Sequence, residues 1–186
     1  AGFCYLNNAA IAAQWLVERT GEPVAVLDVD FHHGNGTQQI FWRDPSVLYV
    51  SLHQVPWYPG TGDGDEVGEG EGRGATLNLP LPEGCGDEEY LAAFDERVVP
   101  ALESFAPEFL LVSAGFDPHF RDPLGGMRVT AEGFAEMTRK LRAAADELCG
   151  GRLALVLEGG YHLDALRESV EAVLDALAEP GEEASP

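Results

Sequence analysis

Residues 24–36 read VAVLDVDFHHGNG, four apolar positions running into two carboxylates and two imidazoles. Side chains of a strand alternate faces, so Asp28, Asp30 and His32, spaced by two, share one side at the strand's end. Burying a carboxylate beside such a run is costly unless a cation or strong donors compensate it. A divalent metal does so most simply. An Asp-x-His pair joined by a further carboxylate suits zinc, and iron or cobalt can take the same donors. The competing reading is a buried ion-pair network.

The further carboxylate has a candidate. FLLVSAGFD (109–117) is another apolar run ending in an acid, Asp117, and LALVLEGGY (153–161) ends in Gly159, Gly160 and Tyr161. Ligands of open parallel sheets bind at the carboxyl ends of the strands, so three strands deliver Asp30, His32, Asp117 and Tyr161 to one edge. Two glycines let the backbone turn sharply before Tyr161 and aim the phenol inward. Three protein ligands leave a coordination position open, the catalytic kind of zinc site. Zinc there polarises a carbonyl and brings the pKa of water down to about 7. The Tyr161 hydroxyl can then donate to the oxyanion of a tetrahedral intermediate. The chemistry specified is metal-assisted amide hydrolysis. Tyr161 as a plain core tyrosine competes with this, and His33 either supports the site or merely packs.

Such residues need elements to hold them. Strand character recurs at 23–29, 46–52, 75–81, 109–115 and 152–160. Three of these runs are nearly continuous in Val, Leu and Ala, as in parallel strands buried on both faces. Helical patterns lie between them. One starts at Asn7 and stops at Gly21; one covers 86–107 with acids in its first turn and Pro100 to kink or divide it. A third opens on Thr130 and closes on Gly150 and Gly151, and the last begins at Leu163. Alternation of this kind predicts an α/β layered sheet. The glycine-rich stretch 59–74 is a loop that is either mobile or lines the site.

The 186 residues are enough for one domain with a sizeable core, and 45% of them are apolar. No apolar run is long enough for a membrane span. A formal net charge of −21 repels nucleic acid and attracts cationic ligands such as lysine-rich tails or polyamines, although solubility alone also accounts for it. Cys4, Cys85 and Cys149 are odd in number and far apart, which argues against a disulfide framework or thiolate zinc site and for a reducing, cytoplasmic setting. Cys4 and Cys85 are expected to be small buried fillers. His53, His119 and His162 are expected to be structural or surface residues. Nothing in the sequence selects an oligomeric state.

The stretches AGFCYLNNAAIA, DVDFHHGNGTQQIF, YVSLHQ, YPGTGD, SAGFDPHFRDPLGG and LEGGYHLDAL occur in this order. Together they resemble the zinc-dependent histone deacetylase and acetylpolyamine amidohydrolase superfamily, in its class II and bacterial branch, over residues 1–178. The resemblance implies an arginase/deacetylase-like three-layer α/β fold with a mostly parallel sheet. It implies removal of acetyl groups from the lysines of proteins or peptides, or from acetylated polyamines. By motif position, Asp30, His32 and Asp117 become the zinc ligands and Tyr161 the donor to the transition state. Gly2, Phe3 and Tyr58 become walls of the tunnel for the acyl-amine stem. A structural potassium is implied on Asp28, Ser51 and backbone oxygens of Asp30, His32 and Leu52. Asp28 also orients a catalytic imidazole in the family, and His33 joins it as a catalytic candidate.

Two departures stand out. Asn35 replaces the aspartate of many members and marks the class II branch. The tandem histidines of the family's P-G-H-H motif, which supply its general base, do not occur among histidines 32, 33, 53, 119 and 162. Residues 1–178 are therefore expected to be the C-terminal portion of a deacetylase domain whose N-terminal part is missing, with little or no turnover alone. Residues 179–186 are expected to be a disordered tail. Two other functions remain open: a non-catalytic homologue that grips acyl-amine or cationic ligands, and a two-metal ureohydrolase. The latter needs a second carboxylate where this chain has Gly34 and Asn35.

Overall fold

The computed structural model describes residues 3–179. Five parallel strands form one sheet: β1 (Val24–Asp28), β2 (Val47–Val55), β3 (Thr76–Pro82), β4 (Phe109–Ala114) and β5 (Leu153–Leu157), in the spatial order β3-β2-β1-β4-β5. Six α-helices accompany them: α1 (Asn8–Thr20), α2 (Asn35–Phe41), α3 (Asp87–Ala93), α4 (Val99–Phe105), α5 (Ala131–Cys149) and α6 (Leu163–Ala178).

The alternation along β1 sorts the core into two layers. Val24 and Val26 face Ala9, Ala13 and Phe41 of α1 and α2, while Ala25 and Leu27 belong to the larger cluster with Tyr90, Phe94, Phe134 and Leu141 of the opposite helices. Both faces of β1 are therefore closed by helices, which is why its residues are all buried. β5 departs from the expected two-sided burial. It is an edge strand among the described residues, and Leu157 is 60% exposed.

The helix ends follow their capping residues. The Asn7 side chain accepts from the Ala10 N–H and Gly21 closes α1, while the Thr130 side chain accepts from the Gly133 N–H and Gly150 closes α5. The region 86–107 is divided as its proline implies: a π-helical segment, Phe94–Val98, separates α3 from α4, and Pro100, without an N–H to donate, lies in the first turn of α4. Helix α2 was not legible in the pattern. It has seven residues, a glycine and no side-chain cap.

The three cysteines are free; Cys85 and Cys149 are buried, but Cys4 is exposed, contrary to the filler role expected of it, because it lies before α1 and outside both core clusters. Of the expected tail, Glu179 is described and accepts from the Arg139 guanidinium, and the remainder lies outside the described residues. None of the described helices is long and apolar enough to cross a membrane.

Candidate metal centre and acyl-amine cleft

The strand ends meet in register: Asp28, the last residue of β1, is opposite Ser51 of β2 and Ser113 of β4. Beyond this line the backbone wraps round the acids. Asp28 Oδ1 accepts from the Asp30 N–H at 3.2 Å, Asp30 Oδ1 from the His32 N–H at 2.9 Å, and Asp117 Oδ1 from the Phe31 N–H at 3.1 Å. Charge-assisted bonds of this kind hold the carboxylates in place before any ligand arrives.

Asp30, His32 and Asp117 converge, with one ligand atom from each within 4.8 Å of the others. His32 Nδ1 lies 2.8 Å from Asp30 Oδ1 and 3.2 Å from Asp117 Oδ2. One ring N–H cannot serve both oxygens, and Asp117 Oδ2, in a fully buried side chain, has no hydrogen-bond partner. An ion pair alone thus leaves a buried carboxylate oxygen uncompensated, at a cost of about 1–3 kcal/mol or more. A divalent cation among the three groups removes that deficit, so the donor set fits zinc. Burial opposes the protonation of His32, but the adjoining Asp117 and Asp30 carboxylates outweigh it and lift the imidazole to about 9. Burial raises Asp117 above the usual carboxylate range. A Cβ on Gly159 would overlap the Asp117 and Asp30 carboxylates, and one on Gly115 would overlap Asp30. These glycines are required by space at the acids rather than by the turn; the positive φ, +132°, belongs to Gly160.

A cleft of about 1140 Å³ opens on this cluster, lined by Asp30, His32, Phe3, Tyr58 and Tyr161 among others. Phe3 (89% exposed) meets the Tyr161 ring edge-on at 6.1 Å, and Tyr58 (64% exposed) meets His32 edge-on at 6.3 Å. Burial and the charges of Asp117 and Asp30 push the Tyr161 phenol up to about 12, so it remains a hydrogen-bond donor at neutral pH. Gly2 lies outside the described residues.

Asp28 is buried behind the cluster and accepts from the Tyr49 hydroxyl at 3.0 Å. Burial, with the Asp30 charge, holds it well above the usual range. Ser51 and Leu52 are buried beside it in β2. Glu158, missed in the sequence although it is another acid at a strand end, also lines the cleft and is raised by burial.

His33 does not join the metal cluster. Its Nε2 lies 2.9 Å from Gln38 Oε1, which can only accept, so Nε2 carries the hydrogen and Nδ1 accepts from the Thr61 hydroxyl at 2.7 Å. Both nitrogens of this catalytic candidate are therefore engaged elsewhere. Gln38 also accepts from Asn78 and donates to Glu66, whose Oε2 accepts from the Gly62 N–H as well. His53 completes the network: Nε2 donates to the Gly62 carbonyl and Nδ1 accepts from the Ser51 hydroxyl, each at 3.0 Å. The glycine-rich loop that follows Tyr58 is thereby fastened to α2, β2 and β3. His119 is also buried, and the His162 side chain caps α6.

The model of the histone deacetylase domain matches residues 1–177. The chain belongs to the histone deacetylase family. It is 52% identical over 164 residues to a probable deacetylase of Archaeoglobus fulgidus, covering 88% of this chain and 46% of that protein. It is 47% identical over 181 residues to the chloroplastic histone deacetylase 10 of Oryza sativa subsp. japonica, covering 96% of this chain and 41% of that protein. The solved acetylpolyamine aminohydrolase of Burkholderia pseudomallei superposes with a TM-score of 0.86 at 41% identity, over 95% of this chain and 50% of the other. The three-layer α/β arrangement is thus that of the deacetylase family, and the chain spans less than half the length of the curated relatives named here.

Proposed function

We propose that this chain carries the metal-binding part of a zinc-dependent amidohydrolase that removes acetyl groups from lysine side chains or polyamines. The observation that carries the reading is the convergence of Asp30, His32 and Asp117 below a cleft that Tyr161 also lines. Bound zinc, held by those three residues, would polarise the amide carbonyl and acidify the attacking water. The chain's residues do the rest. Tyr161 donates its phenolic hydrogen to the oxygen that becomes negative at the reacting carbonyl. Phe3 and Tyr58 flank the aliphatic stem of the acylated amine, and the acidic surface draws in its cationic surroundings.

A potassium on Asp28, Ser51 and backbone oxygens of Asp30, His32 and Leu52 belongs to the same proposal. Ser51 donates its only hydrogen to His53 and keeps oxygen lone pairs for a cation, and a cation there would favour the ionised form of the buried Asp28 next to it. The free cysteines favour a reducing compartment such as the cytoplasm.

The 186 residues alone are expected to turn over slowly. Among the described residues, His33 and His53 each have both ring nitrogens engaged, so neither is free to take the water's proton. The test compares this chain with the full-length gene product on an acetyl-lysine peptide, with and without a chelator, alongside elemental analysis. One zinc-class metal per chain and chelator-sensitive hydrolysis by the longer protein are expected. Hydrolysis that ignores the chelator overturns the reading, and two metals per chain would turn it toward a ureohydrolase.

A further inference from the structure

Tyr161 sits on a turn that its own residues do not stiffen, since Gly159 and Gly160 precede it and Gly160 has φ +132°. The turn is fixed from outside through its amide hydrogens. Glu158 donates to the Ala114 carbonyl at 3.0 Å, Gly159 to Asp30 Oδ2 at 3.1 Å, and Tyr161 to Asp122 Oδ2 at 2.7 Å. The first two bonds lie upstream of the flexible glycine pair's end. The third is made by the residue that bears the phenol.

Asp122 is built to hold still. It is buried, its N–H donates to the His119 carbonyl at 2.8 Å, and its Oδ1 accepts from the Leu124 N–H at 3.0 Å. A carboxylate needed only to shape its own loop would be satisfied by the Leu124 bond. Here the second oxygen leaves the loop and grips another element. The neighbouring Arg121 pairs with Glu168 of α6, the helix that follows Tyr161. The segment that supplies Asp117 therefore holds the Tyr161 turn at its amide and through the helix beyond it.

We propose that Asp122 is a positioning residue for Tyr161: its carboxylate fixes the backbone from which the phenol is presented to the Asp30–His32–Asp117 cluster. The inference rests on the deacetylase reading for what the phenol does, but not for where it is placed. A charged acceptor at a buried N–H is stronger than a neutral one, so the bond also resists transient opening of the turn.

The chain labelled with 3-fluorotyrosine tests the placement directly, with the Tyr161 resonance assigned by its disappearance in Tyr161→Phe. Asp122→Ala should shift the Tyr161 signal toward that of free fluorotyrosine while the other tyrosine signals stay in place. In a variant that stays folded, a Tyr161 signal that does not move overturns the proposal. Asp122→Asn keeps the side-chain shape and serves if the alanine variant does not fold; the Tyr161 amide hydrogen should then exchange roughly tenfold faster. Unchanged exchange overturns it.

In the full-length gene product, Asp122→Ala should lower kcat on an acetyl-lysine peptide by ~10- to 100-fold with KM kept, and add nothing to Tyr161→Phe. Losses that multiply in the double variant would count against it. If the unaltered enzyme leaves the peptide intact, the deacetylase reading fails, and the fluorine and exchange measurements still decide the role of Asp122.

Discussion

His32 and His33 are consecutive residues whose rings occupy opposite kinds of surroundings. His32 faces two carboxylates with one N–H between them, and a buried oxygen of Asp117 is left over. His33 faces Gln38 and Thr61, each matched to one ring nitrogen, and the bonds continue through Glu66 and Asn78 into the glycine-rich loop. Burial acts on both, more fully on His33. Neighbouring acids raise His32 to about 9, whereas burial lowers His33 below its ordinary value. The lesson is that surplus acceptors mark a place prepared for a cation, and matched donors and acceptors mark one prepared for mechanical hold.

That contrast breaks most readily at Asp117. Asp117→Ala should weaken zinc binding by more than the roughly 10- to 100-fold typical of contacts behind the ligands, read by competition with a coloured chelator. The metal-free protein should unfold at nearly the same urea concentration, because a poorly compensated buried charge has gone. Equal zinc affinity in the two proteins would remove Asp117 from the cluster. Gln38→Ala should do the reverse. It strands His33 Nε2 and an Asn78 N–H and takes one of two donors from Glu66 Oε2, for a loss of about 3 kcal/mol in urea unfolding. Zinc affinity of the folded protein should remain close to its original value; a parallel fall in both would merge the two regions into one.

Gly159→Ala sharpens the comparison from the backbone side. Its Cβ would overlap both acids, so zinc affinity of the folded protein should drop by roughly tenfold. Gly160→Ala should instead lower stability, by about 1–3 kcal/mol, through its φ of +132°. Near neutral pH the smallest effect is expected at His53, which burial and the neighbouring His33 lower to about 4. A histidine lowered on folding adds stability that is complete above its unfolded value of 6.5 and is lost as pH falls from there toward 4. His53→Gln should flatten that limb of the stability curve, and an unchanged limb would assign it to other groups.

The difference between the two regions also explains what could be read in the sequence. Asp30 and His32 follow the end of β1 and Asp117 follows the end of β4, so apolar runs ending in polar residues were enough to point to a shared edge, although strand alternation itself stops at Asp28. Gln38, Glu66 and Asn78 meet across 28 and 40 residues of sequence. Amides and carboxylates in a loop or short helix carry no sign of such partners. Helix α2 was lost for a related reason, since seven residues with one glycine show no full apolar period. Cys4 was misjudged because free cysteine usually packs as a small buried hydrophobe, and only tertiary placement decides otherwise. The roles of Gly115 and Gly159 needed the positions of acids from other strands.

Glu66 holds the glycine-rich loop from inside, at Gly62, while Tyr58 stands outward on the span before that hold. The wall of the cleft and the metal cluster thus hang from separate fastenings. Sequence changes between Trp57 and Gly60 can reshape the entrance of the cleft while the Asp30, His32 and Asp117 cluster keeps its geometry.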